Sequence, residues 1–200
     1  MKLYAILIAL CLLQGLICNL GDITLNAVQK AFMKSLPYAK SIKPQPFILE
    51  NAYTYGNLKL YLSLLSLNNV EFKFIYKKLY VKFYNLKILL KGLYKNLADN
   101  TTYKFSTDLT DFIWENTYDV NCARQPTGEY HLNYNLGSES QIRFNAPNYK
   151  FENSSISSNS YAFPIAQLKA IKFTPLKQYL NKIMVQTFLY LKSDLNSNKI

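Results

Sequence analysis

Residues 58–94 read LKLYLSLLSLNNVEFKFIYKKLYVKFYNLKILLKGLY, and this stretch decides the fold. From Leu58 to Leu64 a leucine stands at every second position, and after Asn68 and Asn69 a period of two runs on from Val70. Such alternation is typical of β-strands with one buried face, and the two asparagines indicate a turn. The lysines are too many for a membrane span. The stretch therefore predicts long antiparallel strands.

A slip of phase occurs in the middle of this stretch. From Leu79 to Phe83 the apolar residues occupy odd-numbered positions, and from Leu86 they occupy even-numbered positions. One extra residue at Tyr84-Asn85 accounts for the change, and such an insertion is the sequence signature of a β-bulge. Bulges bend long antiparallel strands, so the sequence predicts a curved sheet.

Two helices flank the strands. Asp22 is placed to cap a helix with apolar residues at helical spacing, which Pro37 is expected to end. Thr174 is a good N-cap before Pro175, and PLKQYLNKIMVQTFLYLKSDL then runs without a breaker. Apolar residues cover this second helix more broadly than a coiled-coil seam would require. Such a helix needs to be enclosed by other structure.

The remaining pattern completes an α+β fold. A linker at residues 41–46 leads to the first strand, and further short strands are predicted at 103–114, 117–120, 129–136, 141–144 and 149–151. We expect residues 47–165 to form a strongly curved antiparallel β-sheet wrapped around the long C-terminal α-helix, with a short N-terminal helix beside it. The outward face of strands 58–90 also carries apolar residues among its lysines, namely Tyr61, Leu65, Ile75, Tyr80, Tyr84 and Leu89.

This order of elements resembles that of the tubular lipid-binding superfamily, which includes bactericidal/permeability-increasing protein, lipopolysaccharide-binding protein and insect takeout-like proteins. The resemblance is carried by GNLKLYLSLLSLNNVEFKFIYKKLYVKFYNLKILLKGLYKN (56–96) and by the helix from Pro175. It implies an acyl chain held in a tube between curved sheet and helix. The chain departs from the family in having the length of one barrel only and no unambiguous cysteine pair.

A cleft between sheet and helix would suit a lipid or a small hydrophobic ligand. Met184 is of interest there, because a flexible thioether adapts to variable ligands, although a single methionine is more often core filling. The expected lining consists of Leu60, Leu62, Leu64, Phe72, Phe74, Val81, Phe83, Ile183, Met184 and Phe188.

The N-terminal stretch MKLYAILIALCLLQGLIC has the layout of a secretory signal peptide. We assign residues 1–18 to the signal and 19–200 to one domain, with cleavage after Gly15, Cys18 or Gly21 left open and a retained anchor as the alternative. Secretion agrees with sequons at Asn100 and Asn153, which are otherwise plain surface turns. Depending on the cleavage site, Cys122 either pairs with Cys18 or stays a lone thiol.

The formal net charge is +11, from 23 Lys+Arg against 12 Asp+Glu. A basic surface favours anionic partners, and in a secreted protein these are anionic membranes or acidic glycans in preference to nucleic acid. The lysines are dispersed, so solubility alone is an equal explanation. The oligomeric state is left open.

Catalytic and metal-binding motifs are absent from the sequence. His131 is the one histidine, and there is no HExxH, CxxC, GxSxG or glycine-rich phosphate loop. Asp108, Asp111 and Glu115 lie at mixed phase on a strand and are expected to face solvent. We therefore expect no enzyme activity, no cofactor and no metal. The alternative to lipid binding is a secreted structural or adhesive protein without a ligand, which the 17 tyrosines would suit.

Overall fold

The computed structural model describes residues 23–42, 47–55, 58–65, 67, 69–95, 97, 100–137, 141–145, 149–152 and 173–197. The proposed signal segment, Cys18, the cap expected from Asp22 and the sequon at Asn153 lie outside these residues. Within them the chain forms two helices and eight strands. In order these are α1 (Leu25–Ile42), β1 (Phe47–Tyr55), β2 (Leu58–Leu64), β3 (Val70–Ile75), β4 (Lys78–Lys95), β5 (Thr102–Arg124), β6 (Tyr130–Leu136), β7 (Gln141–Asn145), β8 (Tyr149–Glu152) and α2 (Thr174–Ser197).

All the strand pairs are antiparallel, and they are arranged around the long hairpin of β4 and β5. One edge of β4 pairs with β3 along its first part and with β2 along its second part. The far edge of β5 pairs with β8, β7 and β6 in turn. Two long strands thus serve as a spine, and shorter strands are laid along both sides of it.

A pair of bulges divides this spine. On β4 the register shifts between Phe83 and Leu86, and on β5 it shifts on the other side of Phe112. Asn85 and Asp111, the residues at the two shifts, have φ of 49° and 50°. Short polar side chains tolerate this left-handed conformation better than bulky ones do. The predicted bulge at Tyr84-Asn85 is therefore confirmed, and a second bulge on β5 accompanies it.

Asn69, the residue just before β3, hydrogen-bonds the bulge on β4. Its side-chain amide donates to the Asn85 carbonyl at 3.4 Å, and its own carbonyl accepts from the Tyr84 amide at 3.1 Å. The bulge lies where β3 gives way to β2 along the edge of β4. We call the part of the sheet before this point, made of β3, β6, β7 and the adjoining parts of β4 and β5, the near half, and the rest the far half.

The sheet curls into a half-barrel with the helices at its concave side, which confirms the predicted α+β fold. Buried side chains alternate along β2, β4 and β5, and they form one core with the inward residues of both helices. Full burial of one leucine or phenylalanine stabilises the fold by about 1.5–3 kcal/mol, so this shared core holds the layers together. Within the described residues, neither helix has the length and apolar character needed to cross a bilayer.

Two expectations about individual elements were wrong. Pro37 does not end α1, which continues to Ile42 and buries Ala39 beyond the proline. The loss of one hydrogen bond at proline is offset there by packing. The strands expected at 103–114 and 117–120 are one strand, β5, because Asn116 stays within the sheet and is buried.

Candidate functional site

All ten residues predicted to line a ligand site belong to the apolar core or pack against it. Eight of them are at most 1% exposed, whereas Phe72 and Phe74 on the edge strand β3 are half-buried. The structure brings Phe72 and Phe83 together around Phe32 of α1, at ring-centroid distances of 5.5 and 5.7 Å. The predicted residues of β2 lie apart from these, because they pair with β4 beyond the bulge.

Helix α1 forms part of the site, although the sequence reading gave it no role there. Its buried face includes Val28, Ala31 and Phe32, each at most 1% exposed. The buried hydroxyls of Ser35 and Thr187 lie 3.0 Å apart and join α1 to α2. Lys34 and Asp194 add a solvent-exposed ion pair between the helices. Among the side chains that the structure describes, no hydrogen bond joins α1 to the sheet, and the described contacts between them are apolar.

Strand β5 contributes the largest inward side chains, which the sequence reading also left out. Trp114 is fully buried with its ring 5.3 Å from Phe83, and Phe112 lies 5.8 Å from Phe173 at the start of α2. The alternation along β5 could have identified these residues, since it is as regular as that of β4. Trp114 and Phe112 thus form an aromatic layer between the bulged part of the sheet and the helices.

A polar network fastens α2 to the second part of β5. The Tyr118 hydroxyl donates to the Asn181 side-chain carbonyl at 2.8 Å, and the Asn116 amide donates to the same oxygen at 3.2 Å. Burial raises the pKa of Tyr118 above its ordinary value, so the phenol stays neutral and able to donate. Further along, the Tyr130 amide donates to the Asn196 side-chain oxygen at 2.6 Å. α2 is thus anchored at two levels, unlike α1.

Two polar atoms on the inward face of β5 differ from this network. The Trp114 indole nitrogen and the Thr107 hydroxyl are buried without a hydrogen-bond partner among the described residues. Buried polar groups nearly always have a partner, because an unmet donor loses its hydrogen bonds to water without replacement. Each of these atoms therefore requires an explanation.

No buried side chain in the described part of the core carries a charge; its buried polar residues are Ser35, Thr107, Asn116 and Thr187. The interior can therefore accommodate apolar or neutral polar matter, while an ion placed there would lack a counter-charge. This electrostatic character is a stronger constraint on a ligand than the apolar lining alone.

The outer face of the sheet carries the charges, and its two halves differ. On the near half, Glu115 lies 2.9 Å from Arg143 and 3.7 Å from Lys82, beside a groove of about 420 Å³. On the far half, five exposed lysines on β2, β4 and β5 make no ion pair with any residue whose side chain the structure describes, a set that excludes the side chains of β1 and β8. These are Lys59, Lys87, Lys91, Lys95 and Lys104, and we call them the lysine face.

Asp108, Asp111 and His131 are polar residues of the described strands β5 and β6 that the sequence singled out. Asp108 and Asp111 are exposed, as expected, and no group of three or more potential metal ligands occurs among the described residues. His131 is exposed on β6. Cys122 is buried on β5, and its predicted alternative partner Cys18 lies outside the described part of the chain. Asn100 is exposed and so is sterically available as a sequon.

A scan against protein-family models finds no match to the chain, and a search of curated proteins finds no significant similarity. Membership of the tubular lipid-binding superfamily therefore stays a prediction.

Proposed function

We propose that the chain is a secreted binding protein for a lipid or another long apolar molecule, held between the concave face of the sheet and the helices. The observation that carries the proposal is the way α1 covers an uncharged, apolar face. α1 contacts the sheet through Phe32 and its neighbours, with no described hydrogen bond to any strand. Outward movement of α1 breaks no described hydrogen bond to a strand. It does break the contacts of Ser35 with Thr187 and of Lys34 with Asp194, but each of the two hydroxyls keeps a backbone carbonyl of its own helix as partner.

Access to the interior would lie between α1 and β3. Phe72 and Phe74 on this strand are the two proposed lining residues that keep partial exposure. In the described residues β3 pairs with β4 alone, so its other edge faces α1 without strand pairing. Because the other lining residues are fully buried, a ligand requires α1 to move outward from the sheet and from α2, which stays fastened to β5.

The lysine face supports a further part of the proposal, which is approach to anionic membranes. Its lysines alternate with half-buried Tyr61, Leu89 and Leu93 on the same outer surface. Each lysine near an anionic bilayer contributes on the order of 1 kcal/mol of attraction, and the apolar neighbours suit the interface. Secretion rests on the signal-like segment at residues 1–18.

The test is native mass spectrometry of the secreted protein, followed by organic extraction and identification of any lipid released. Phe74→Asp places a charge on the inward side of β3, and Ile75→Asp places the same charge on the outward side one residue away. We expect lipid to co-purify with the wild type and Ile75→Asp and to be lost from folded Phe74→Asp. Equal lipid in both variants would contradict the proposed site.

The second candidate is a secreted structural protein without a ligand. It is favoured by the full burial of eight of the ten proposed lining residues, because a solid core leaves no room for an acyl chain. The same experiment separates the two functions. A wild-type protein that carries no lipid, and takes up none when lipid vesicles are supplied, would support the structural function.

A further inference from the structure

We infer that the ligand is a neutral long-chain molecule with a hydrogen-bond acceptor, such as an ester, and that Trp114 recognises this acceptor through its indole N–H. The inference rests on the proposed function, since it concerns the ligand of the same interior. It goes further by naming the chemical class of the ligand and the residue that selects it.

The first step is the position of Trp114. Its ring lies between the sheet and the helices, 5.3 Å from Phe83, which in turn contacts Phe32 of α1 at 5.7 Å. The side chain is fully buried, and its nitrogen has no partner among the described residues. An indole nitrogen can only donate. The group that completes this site must therefore be an acceptor, and it must reach the face that α1 covers.

The second step is the position of Thr107 on the same face of β5. Trp114 lies seven positions after Thr107, and the bulge at Asp111 absorbs one of these positions, so both side chains point inward. At the rise of an antiparallel strand, six residues span about 20 Å, which is comparable to an extended long acyl chain. The Thr107 hydroxyl, also unpartnered among the described residues, offers a second polar contact at that distance.

The third step excludes charged head groups. The buried polar side chains near this face are all neutral, and the described core contains no lysine or arginine. A carboxylate or phosphate beside Trp114 would lose its hydration without gaining a counter-charge, and this costs far more than one hydrogen bond returns. An ester, ketone or alcohol meets the requirement at little cost. A free fatty acid, ionised at neutral pH, does not.

The test compares three probes delivered to the purified protein from cyclodextrin: methyl palmitate, octadecane of the same chain length, and palmitate. Trp114→Phe removes the donor and retains an aromatic ring. We expect this variant to bind methyl palmitate about 5- to 10-fold more weakly than the wild type, the value of one buried neutral hydrogen bond. Its affinity for octadecane should change by less than about 2-fold, and palmitate should bind weakly to both proteins.

A measurement on the wild type guards against a variant that fails to fold. Trp114 is the one tryptophan of the chain, so its fluorescence reports on this site without a label. Methyl palmitate should shift the emission to the red, because the indole gains an acceptor, while octadecane should not. Thr107→Val removes the second polar contact with little change of side-chain shape. This variant should weaken the binding of a long-chain diol more than the binding of octadecane.

The outcomes distinguish a failure of the recognition role of Trp114 from a failure of the proposed function. If the wild type binds methyl palmitate and octadecane but Trp114→Phe changes both affinities alike, the recognition role of Trp114 is refuted and the proposed function stands. If palmitate binds best, the neutral ligand class is refuted. If the wild type binds none of the probes, the proposed function fails and this inference fails with it.

Discussion

Gly92→Ala is expected to destabilise the far half of the sheet by a steric effect that the structure defines. Gly92 on β4 faces the interior, where a Cβ at this position would lie 2.5 Å from Cε1 of Phe105 and 2.9 Å from Cδ2 of Leu60. Overpacking of a buried site costs about 1–3 kcal/mol. Replacement of a glycine returns roughly 0.5–1 kcal/mol through the unfolded chain. Because the new Cβ would meet two side chains at under 3.0 Å, the cost should lie in the upper part of this range, about 2–3 kcal/mol, and the net loss in free energy of unfolding should be about 1–2.5 kcal/mol.

The assay is urea denaturation followed by Trp114 fluorescence, with a thermal melt beside it. A loss of this size corresponds to a fall in Tm of roughly 2–10 °C for a domain of this length. Phe105→Leu should cost stability alone by leaving a cavity, yet it should partly rescue Gly92→Ala by removing the ring that the new methyl group meets. A Gly92→Ala protein as stable as the wild type, or strict additivity in the double variant, would refute the steric reasoning.

Three other substitutions test separate features. Tyr76→Gly should stabilise the protein by about 0.5–1 kcal/mol in urea melts, because Tyr76 is 95% exposed in a tight turn with φ of 47°, a conformation costly for bulky residues. Tyr118→Phe should cost about 1 kcal/mol at neutral pH by removing the hydrogen bond to Asn181. Burial raises the pKa of Tyr118 in the folded protein above the unfolded value of 10.0. The contribution of Tyr118 to the free energy of unfolding is therefore complete below pH 10 and is lost as the pH rises above it. Tyr118→Phe should lose less stability than the wild type at alkaline pH. His131→Ala, at an exposed site, should leave lipid binding and the circular dichroism spectrum unchanged; a loss of binding with folding intact would give this histidine a role.

The sequence was sufficient for features that depend on neighbouring residues. The slip of phase between Phe83 and Leu86 requires an extra residue, and this conclusion uses the local sequence alone. The bulge at Asn85, with φ of 49°, confirms the prediction. The broad apolar surface of α2 likewise required an enclosing layer. Buried Leu180, Ile183 and Phe188 show that one face of the helix is covered, whereas Val185 and Leu189 on its other side are 40% and 50% exposed.

The features that the sequence reading got wrong depend on distant partners. Asn116 reads as a turn residue, but Asn181, 65 positions later, accepts its amide hydrogen and keeps β5 continuous. The helix beyond Pro37 persists because Ala39 reaches the core, and no local signal shows that a core lies there. Similarly, β2 and β3 pair with the same edge of β4 and not with each other, and strand alternation does not encode this choice.

The same limit explains why an apolar pattern does not distinguish a lipid site from a solid core. Both require the alternation seen in β2 and β4, and both bury the same leucines and phenylalanines. Hydrogen bonding separates them. Asn116 and Tyr118 are satisfied within the protein, so they serve structure, while the Trp114 nitrogen on the same strand has no described partner. A phenylalanine at this position would fill the core without an unmet donor. The unpartnered donor of Trp114 is therefore the feature of the interior that points to a ligand.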